Sequence, residues 1–73
     1  MKLKEAEKFE REKGHPPGTY YVAADKGRVI HIFTEYPRLI RNYCWTTGYG
    51  YGYVGSCYTG KKHWTRAIRK FTV

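Results

Sequence analysis

The sequence predicts an α+β fold: one N-terminal helix, a small three- or four-stranded antiparallel sheet and a short C-terminal helix. Three observations carry this expectation. A charged run of helix formers, residues 2–13, stops at Gly14 and Pro16-Pro17-Gly18. Two segments rich in strand formers flank Asp25-Lys26-Gly27. Near the end, Trp64, Ala67, Ile68 and Phe71 fall at helical spacing.

Taken in order, KLKEAEKFEREK holds i,i+4 opposite charges at Glu7 with Arg11 and Lys8 with Glu12, each worth a few tenths of a kcal/mol. Leu3, Ala6 and Phe9 make only a narrow apolar stripe, and a helix of this length is marginal without a surface to dock on. Gly14 suits the position after a helix, and proline cannot continue one. Residues 14–18 therefore read as a linker between a helix, 1–13, and a β-rich body, 19–73, within a single domain. Tyr20–Ala24 and Val29–Thr34 read as a hairpin, with Gly27 available for a left-handed turn position. Glu35–Arg38 breaks the second strand, Leu39–Asn42 suits a helical turn or a loop, and Tyr43–Thr47 returns to strand composition. Residues 64–71 could also run as a strand, but that would place Ala67, Arg69 and Phe71 on one face, a poorer pattern than the helix.

The chain has 73 residues, of which only ten are Val, Ile or Leu while thirteen are aromatic. The core is therefore thin and must be built largely from rings. No span approaches the roughly 20 apolar residues of a membrane helix, and the charged N-terminus lacks the apolar stretch of a secretory signal. A cytoplasmic location is expected, with Cys44 and Cys57 as thiols. The net charge is +8, unevenly spread. Residues 1–18 carry five basic and four acidic side chains, residues 19–47 four and two, and residues 48–73 five and none. An excess of this size favours nucleic acid or an acidic protein surface as partner.

Two features could carry such binding. In Gly48–Gly55, tyrosine alternates with glycine, so an extended chain places Tyr49, Tyr51 and Tyr53 on one face and bare backbone on the other. Aromatic faces beside cations are how single-stranded nucleic acid is held, although tyrosines in so thin a core, or in a loop, would look the same in sequence. The second feature is Lys61, Lys62, Arg66, Arg69 and Lys70. A helical register would align Lys62, Arg66, Arg69 and Lys70 along one side.

Other chemistry finds little support. Cys44, Cys57, His31 and His63 lack the paired spacing that nucleates a metal site. Only Asp25 and Glu35 are acidic beyond the helix, and a Cys–His nucleophile would need a cleft and an orienting group. Gly55–Lys61 matches the first positions of a phosphate-binding loop, but Lys62 stands where Ser or Thr is needed. No enzyme, metal or cofactor is expected. The run Tyr20-Tyr21-Val22-Ala23, Asp25-Lys26-Gly27, Val29 and Ile32-Phe33, followed by Pro37, Trp45 and Trp64, resembles short uncharacterised phage and prophage proteins. That resemblance implies an accessory role in which the chain occupies a host protein. Two expectations therefore stand: a non-enzymatic module for single-stranded nucleic acid, and a phage-encoded inhibitor or adaptor that fits an acidic host surface.

Overall fold

The computed structural model describes residues 1–40, 44–47, 51–55 and 57–73. It is α+β, with helix α1 (Leu3–Glu12) and strands β1 (Thr19–Ala24), β2 (Ile30–Phe33), β3 (Arg38–Ile40), β4 (Cys44–Thr46), β5 (Tyr51–Gly55) and β6 (Ile68–Thr72). Four strands form one antiparallel sheet in the order β5-β2-β1-β6, and β3 pairs with β4 in a separate antiparallel ribbon.

The period-two alternation of β1 explains the layering. Tyr20, Val22 and Ala24 join Ile30, Ile32, Val54 and Phe71 on the face that receives α1, while Ala23 and Phe33 pack with Trp45 on the other. One apolar sheet is thus covered by a helix on one side and by β4 and a 3-10 turn (Trp64–Arg66) on the other. Trp45 locks this second cover by donating its indole N–H to the Trp64 carbonyl at 3.1 Å.

α1 begins where Glu5 accepts the Lys2 N–H at 2.8 Å, and ends at Gly14 with φ of 78°. Its inner face is not the expected Leu3-Ala6-Phe9 stripe. Leu3 and Ala6 do pack on the core, but Glu10 is buried with them, 1% exposed, while Phe9 is 45% exposed and meets the Lys13 ammonium. A carboxylate can lie there because His15 Nε2 stands 2.8 Å from Oε1 and Lys13 Nζ 2.8 Å from Oε2. The lysine is off the hydrogen-bonding direction, so Oε2 is matched by charge without a directed bond.

Two expectations from the sequence are corrected. Residues 38–40 form β3, neither helical turn nor loop, because pairing with β4 satisfies their backbone groups. The C-terminal helix is only the 3-10 turn, and residues 68–72 run as strand β6 along β1. The strand pattern that looked poor is satisfied by α1. Phe71 stacks near Tyr20, ring centres 5.7 Å apart, and Arg69 on the same face reaches the Glu7 carboxylate. Gly52 of the Tyr-Gly run has a packing role: a Cβ there would stand 3.2 Å from Ile32 Cγ2, so this bare position lets β5 lie close on the core side.

The β1–β2 turn closes differently from the sequence expectation. Asp25 Oδ1 accepts from Gly27 N–H at 2.9 Å and Val29 N–H at 3.1 Å, and the left-handed position falls on Arg28 with φ of 62° rather than on Gly27. A side chain there is disfavoured by roughly 1–2 kcal/mol. Arg28→Gly should therefore hold or raise stability, by up to about 1 kcal/mol, in urea unfolding. Phe33→Ala, at a site with no exposure, should lose about 3–5 kcal/mol. A marked loss for Arg28→Gly would contradict the turn geometry.

Candidate nucleic-acid interface

The end of the sheet where β1 turns into β2 collects cations from four segments of chain. Tyr58 organises it. Its N–H donates to the Arg28 carbonyl at 2.9 Å, its ring is buried in the helix-side core, and its hydroxyl donates to the Lys62 carbonyl at 3.4 Å. Gly60 lies directly against the phenol, and a Cβ there would collide with it. The start of α1 is tied to the same loop: the Met1 nitrogen donates to the Cys57 carbonyl at 2.7 Å, and Thr59 N–H donates to the Met1 carbonyl at 3.0 Å.

Lys61 and Lys62 stand exposed on this loop and separate two clefts of about 320 Å³ each. The first is bordered by Lys2, Leu3, Tyr58, Ile68 and Arg69 besides the two lysines. The second is bordered by Lys26, Arg28, His63 and Trp64, again with the two lysines. Asp25 is the acidic residue at this second cleft, and its Oδ1 is already engaged by the turn. A larger groove of about 660 Å³ along α1 mixes signs, since Glu5 and Glu7 border it together with Lys4, Lys8 and Arg11.

The residues expected from sequence are only partly brought together. Lys61, Lys62 and Arg69 meet around the first cleft, but Arg69 is engaged by Glu7. Arg66 is exposed on the 3-10 turn and Lys70 is exposed on β6, and neither borders these clefts. The aligned helical row of Lys62, Arg66, Arg69 and Lys70 does not exist, because in a strand Arg69 and Lys70 point to opposite faces of the sheet. Tyr49 lies outside the described residues. Tyr51 occupies the β5 position opposite Phe33, and its side chain also lies outside what is described. Tyr53, opposite His31, is 61% exposed with its ring edge-on to the imidazole at 6.1 Å, so this tyrosine belongs to a strand surface and not to the core. Sequence reasoning missed Lys2, Lys26 and Arg28 as members of the site. The available signal was the hairpin itself, which had to place Lys26 and Arg28 at one tip.

Two titrating groups are set by this arrangement. The Arg11 guanidinium, hydrogen-bonded at 2.7 Å, and Arg69 together hold the Glu7 carboxyl below its usual range against the opposing effect of burial. That contribution to stability is present above the ordinary carboxylate value and lost as pH falls through the lowered one. Burial pushes His31 below the usual 6.5, and the Asp25 carboxylate at 4.0 Å pulls it part of the way back. Neutral His31 therefore adds no charge beneath Tyr53 at neutral pH.

No protein-family model matches this chain, and no curated protein or solved structure matches it either. Among the described residues, no three His, Cys, Asp or Glu side chains gather as metal ligands would, and no helix is long and apolar enough to cross a membrane. The cationic end must speak for itself.

The His31 assignment is directly measurable. Its unfolded form binds a proton more readily than its folded form, so stability from this group is present above about pH 6.5 and lost as pH falls through the lowered folded value. Asp25→Asn keeps the turn acceptor but removes the attraction, and should move the His31 imidazole midpoint still lower in an NMR titration. A rise would contradict the pairing.

Proposed function

We propose that the protein is a small, non-enzymatic nucleic-acid-binding module that grips single-stranded phosphate backbone at the cationic end of its sheet. One observation carries this reading. Lys2, Lys26, Arg28, Lys61 and Lys62 come from separate parts of the chain and converge on two adjoining clefts, while four of the six acidic residues lie on α1. Like charges brought together repel one another, and a polyanion relieves that repulsion. Exposed Tyr53 on β5 supplies a ring on which a base could stack.

A second reading, a protein-binding inhibitor or adaptor of the phage-accessory kind, is favoured by a different surface. Tyr36, Leu39 and Ile40 expose large apolar area on and before β3, as protein contacts do. A pull-down from lysate with and without nuclease separates the two. Loss of all captured partners on nuclease treatment supports nucleic acid, and an unchanged stoichiometric protein supports the adaptor.

Fluorescence anisotropy with labelled single-stranded DNA and RNA over a salt series tests the main reading. With about three to five phosphates engaged, log K against log salt should slope at roughly −2 to −4. Lys61→Gln with Lys62→Gln should weaken binding for every sequence and make the slope shallower by about 1.4, two contacts' worth. Arg69→Gln should change it less, since Glu7 already engages that guanidinium. Binding indifferent to salt and to the lysine pair would contradict the proposal.

A further inference from the structure

The second cleft differs from the first in bringing cations and accessible rings to the same place. Trp64 borders it half-buried, with one part of the indole packed on the cluster around Ala23 and Phe33. Its backbone is fixed, because the Trp64 carbonyl accepts from both the Trp45 indole and the Ala67 N–H. The His63 ring lies alongside, centres 6.0 Å apart and planes 34° from parallel. Lys26, Arg28, Lys61 and Lys62 border the same cleft. Among the described residues, no ion pair engages Lys26, Lys61 or Lys62. By contrast, the first cleft has cations in Lys2, Lys61 and Lys62 but its aromatic ring is the buried Tyr58, and its arginine is already held by Glu7.

We propose that this second cleft is a single-nucleotide subsite: its cations receive a phosphate and the Trp64 indole receives the attached base. The inference rests on the nucleic-acid reading above and says where one nucleotide of the strand sits. Size supports one unit. At about 320 Å³ the cleft lies at the small end of the roughly 300–1,000 Å³ that small-molecule sites span. A planar base gains by stacking on indole, and a phosphate gains from charge-assisted bonds to lysine and guanidinium donors. The turn fixes Arg28 in a left-handed conformation, and one guanidinium nitrogen donates to the Tyr58 carbonyl at 3.5 Å, which holds the side chain at the cleft with its remaining N–H groups available to a phosphate. Asp25 would repel a phosphate placed beside it, so the phosphate sits toward Arg28 and Lys62.

The test is an NMR titration of the labelled protein with adenosine 5′-monophosphate, adenosine, inorganic phosphate and a short single-stranded DNA. The monophosphate should shift the backbone amides of residues 26–28 and 61–64 together with the Trp64 indole signal, leaving the amides of α1 residues 8–12 in place. Phosphate alone should move the amides without the indole, and adenosine alone should do neither. Lys26→Gln with Lys62→Gln should keep the folded spectrum and weaken monophosphate affinity by roughly tenfold. Arg28→Gly should weaken it without loss of folding. Identical shifts from phosphate and monophosphate would reduce the cleft to an anion site and overturn the base half of the proposal. If the DNA binds while the monophosphate leaves the cleft untouched, the subsite is wrong and the nucleic-acid reading survives. If neither binds, both fall together.

Discussion

The arrangement depends on Tyr58. Four cationic segments meet at one end of the sheet, and electrostatics alone would drive them apart. The Tyr58 backbone holds the loop to the β1–β2 turn through Arg28, its ring anchors the loop in the helix-side core, and its hydroxyl caps the Lys62 carbonyl. Burying so large a ring gives a thin domain stabilisation that it cannot obtain from ten aliphatic side chains. Gly60 is the necessary companion, because only a residue without Cβ clears the phenol. The same contact that completes the core therefore also concentrates positive charge.

Charge elsewhere is handled in the opposite way. On α1, Glu5 caps the helix start, Glu7 meets Arg11 and Arg69, and Glu10 meets Lys13 and His15. Glu7 and Glu10 thereby engage Arg11, Arg69, Lys13 and His15. The excess that remains is not a uniform coating. Lys2, Lys26, Arg28, Lys61 and Lys62 gather around one loop, where Asp25 has its Oδ1 engaged by the turn, while Arg66 and Lys70 stand exposed apart from it. On the proposed reading, such asymmetry would steer a polyanion to one end of a small domain.

The helix and the first hairpin were legible in sequence because local chemistry determines them: helix formers before a Gly and two prolines, and β-rich runs around Asp-Lys-Gly. Residues 64–72 were not, because the cue that favoured a helix is also satisfied by a strand once Arg69 has Glu7 opposite it. That pairing links positions 7 and 69, and periodicity within one window cannot register it. Phe9 misled for a different reason: the inner face of α1 is completed by Glu10, a carboxylate that hydropathy would place outside, because Lys13 and His15 just beyond the helix match its charge. Of the site, the basic loop Lys61-Lys62 and the exposed Tyr53 could be read directly. The hairpin put Lys26 and Arg28 at one tip, but that they and Lys2 meet the basic loop could not be read, because the contacts of Tyr58 with the turn and of Met1 with the loop bring them together.

The central claim is that the cations at the β1–β2 end, and not the protein's positive charge in general, hold the nucleic acid. Lysine acetylation footprinting by mass spectrometry tests this directly, with single-stranded DNA present and absent at physiological salt. The account predicts that DNA slows modification of Lys26, Lys61 and Lys62 while Lys8 and Lys13, on the far part of α1 and at its end, react at unchanged rates. Equal protection of all lysines, or protection confined to Lys8 and Lys13, would contradict it.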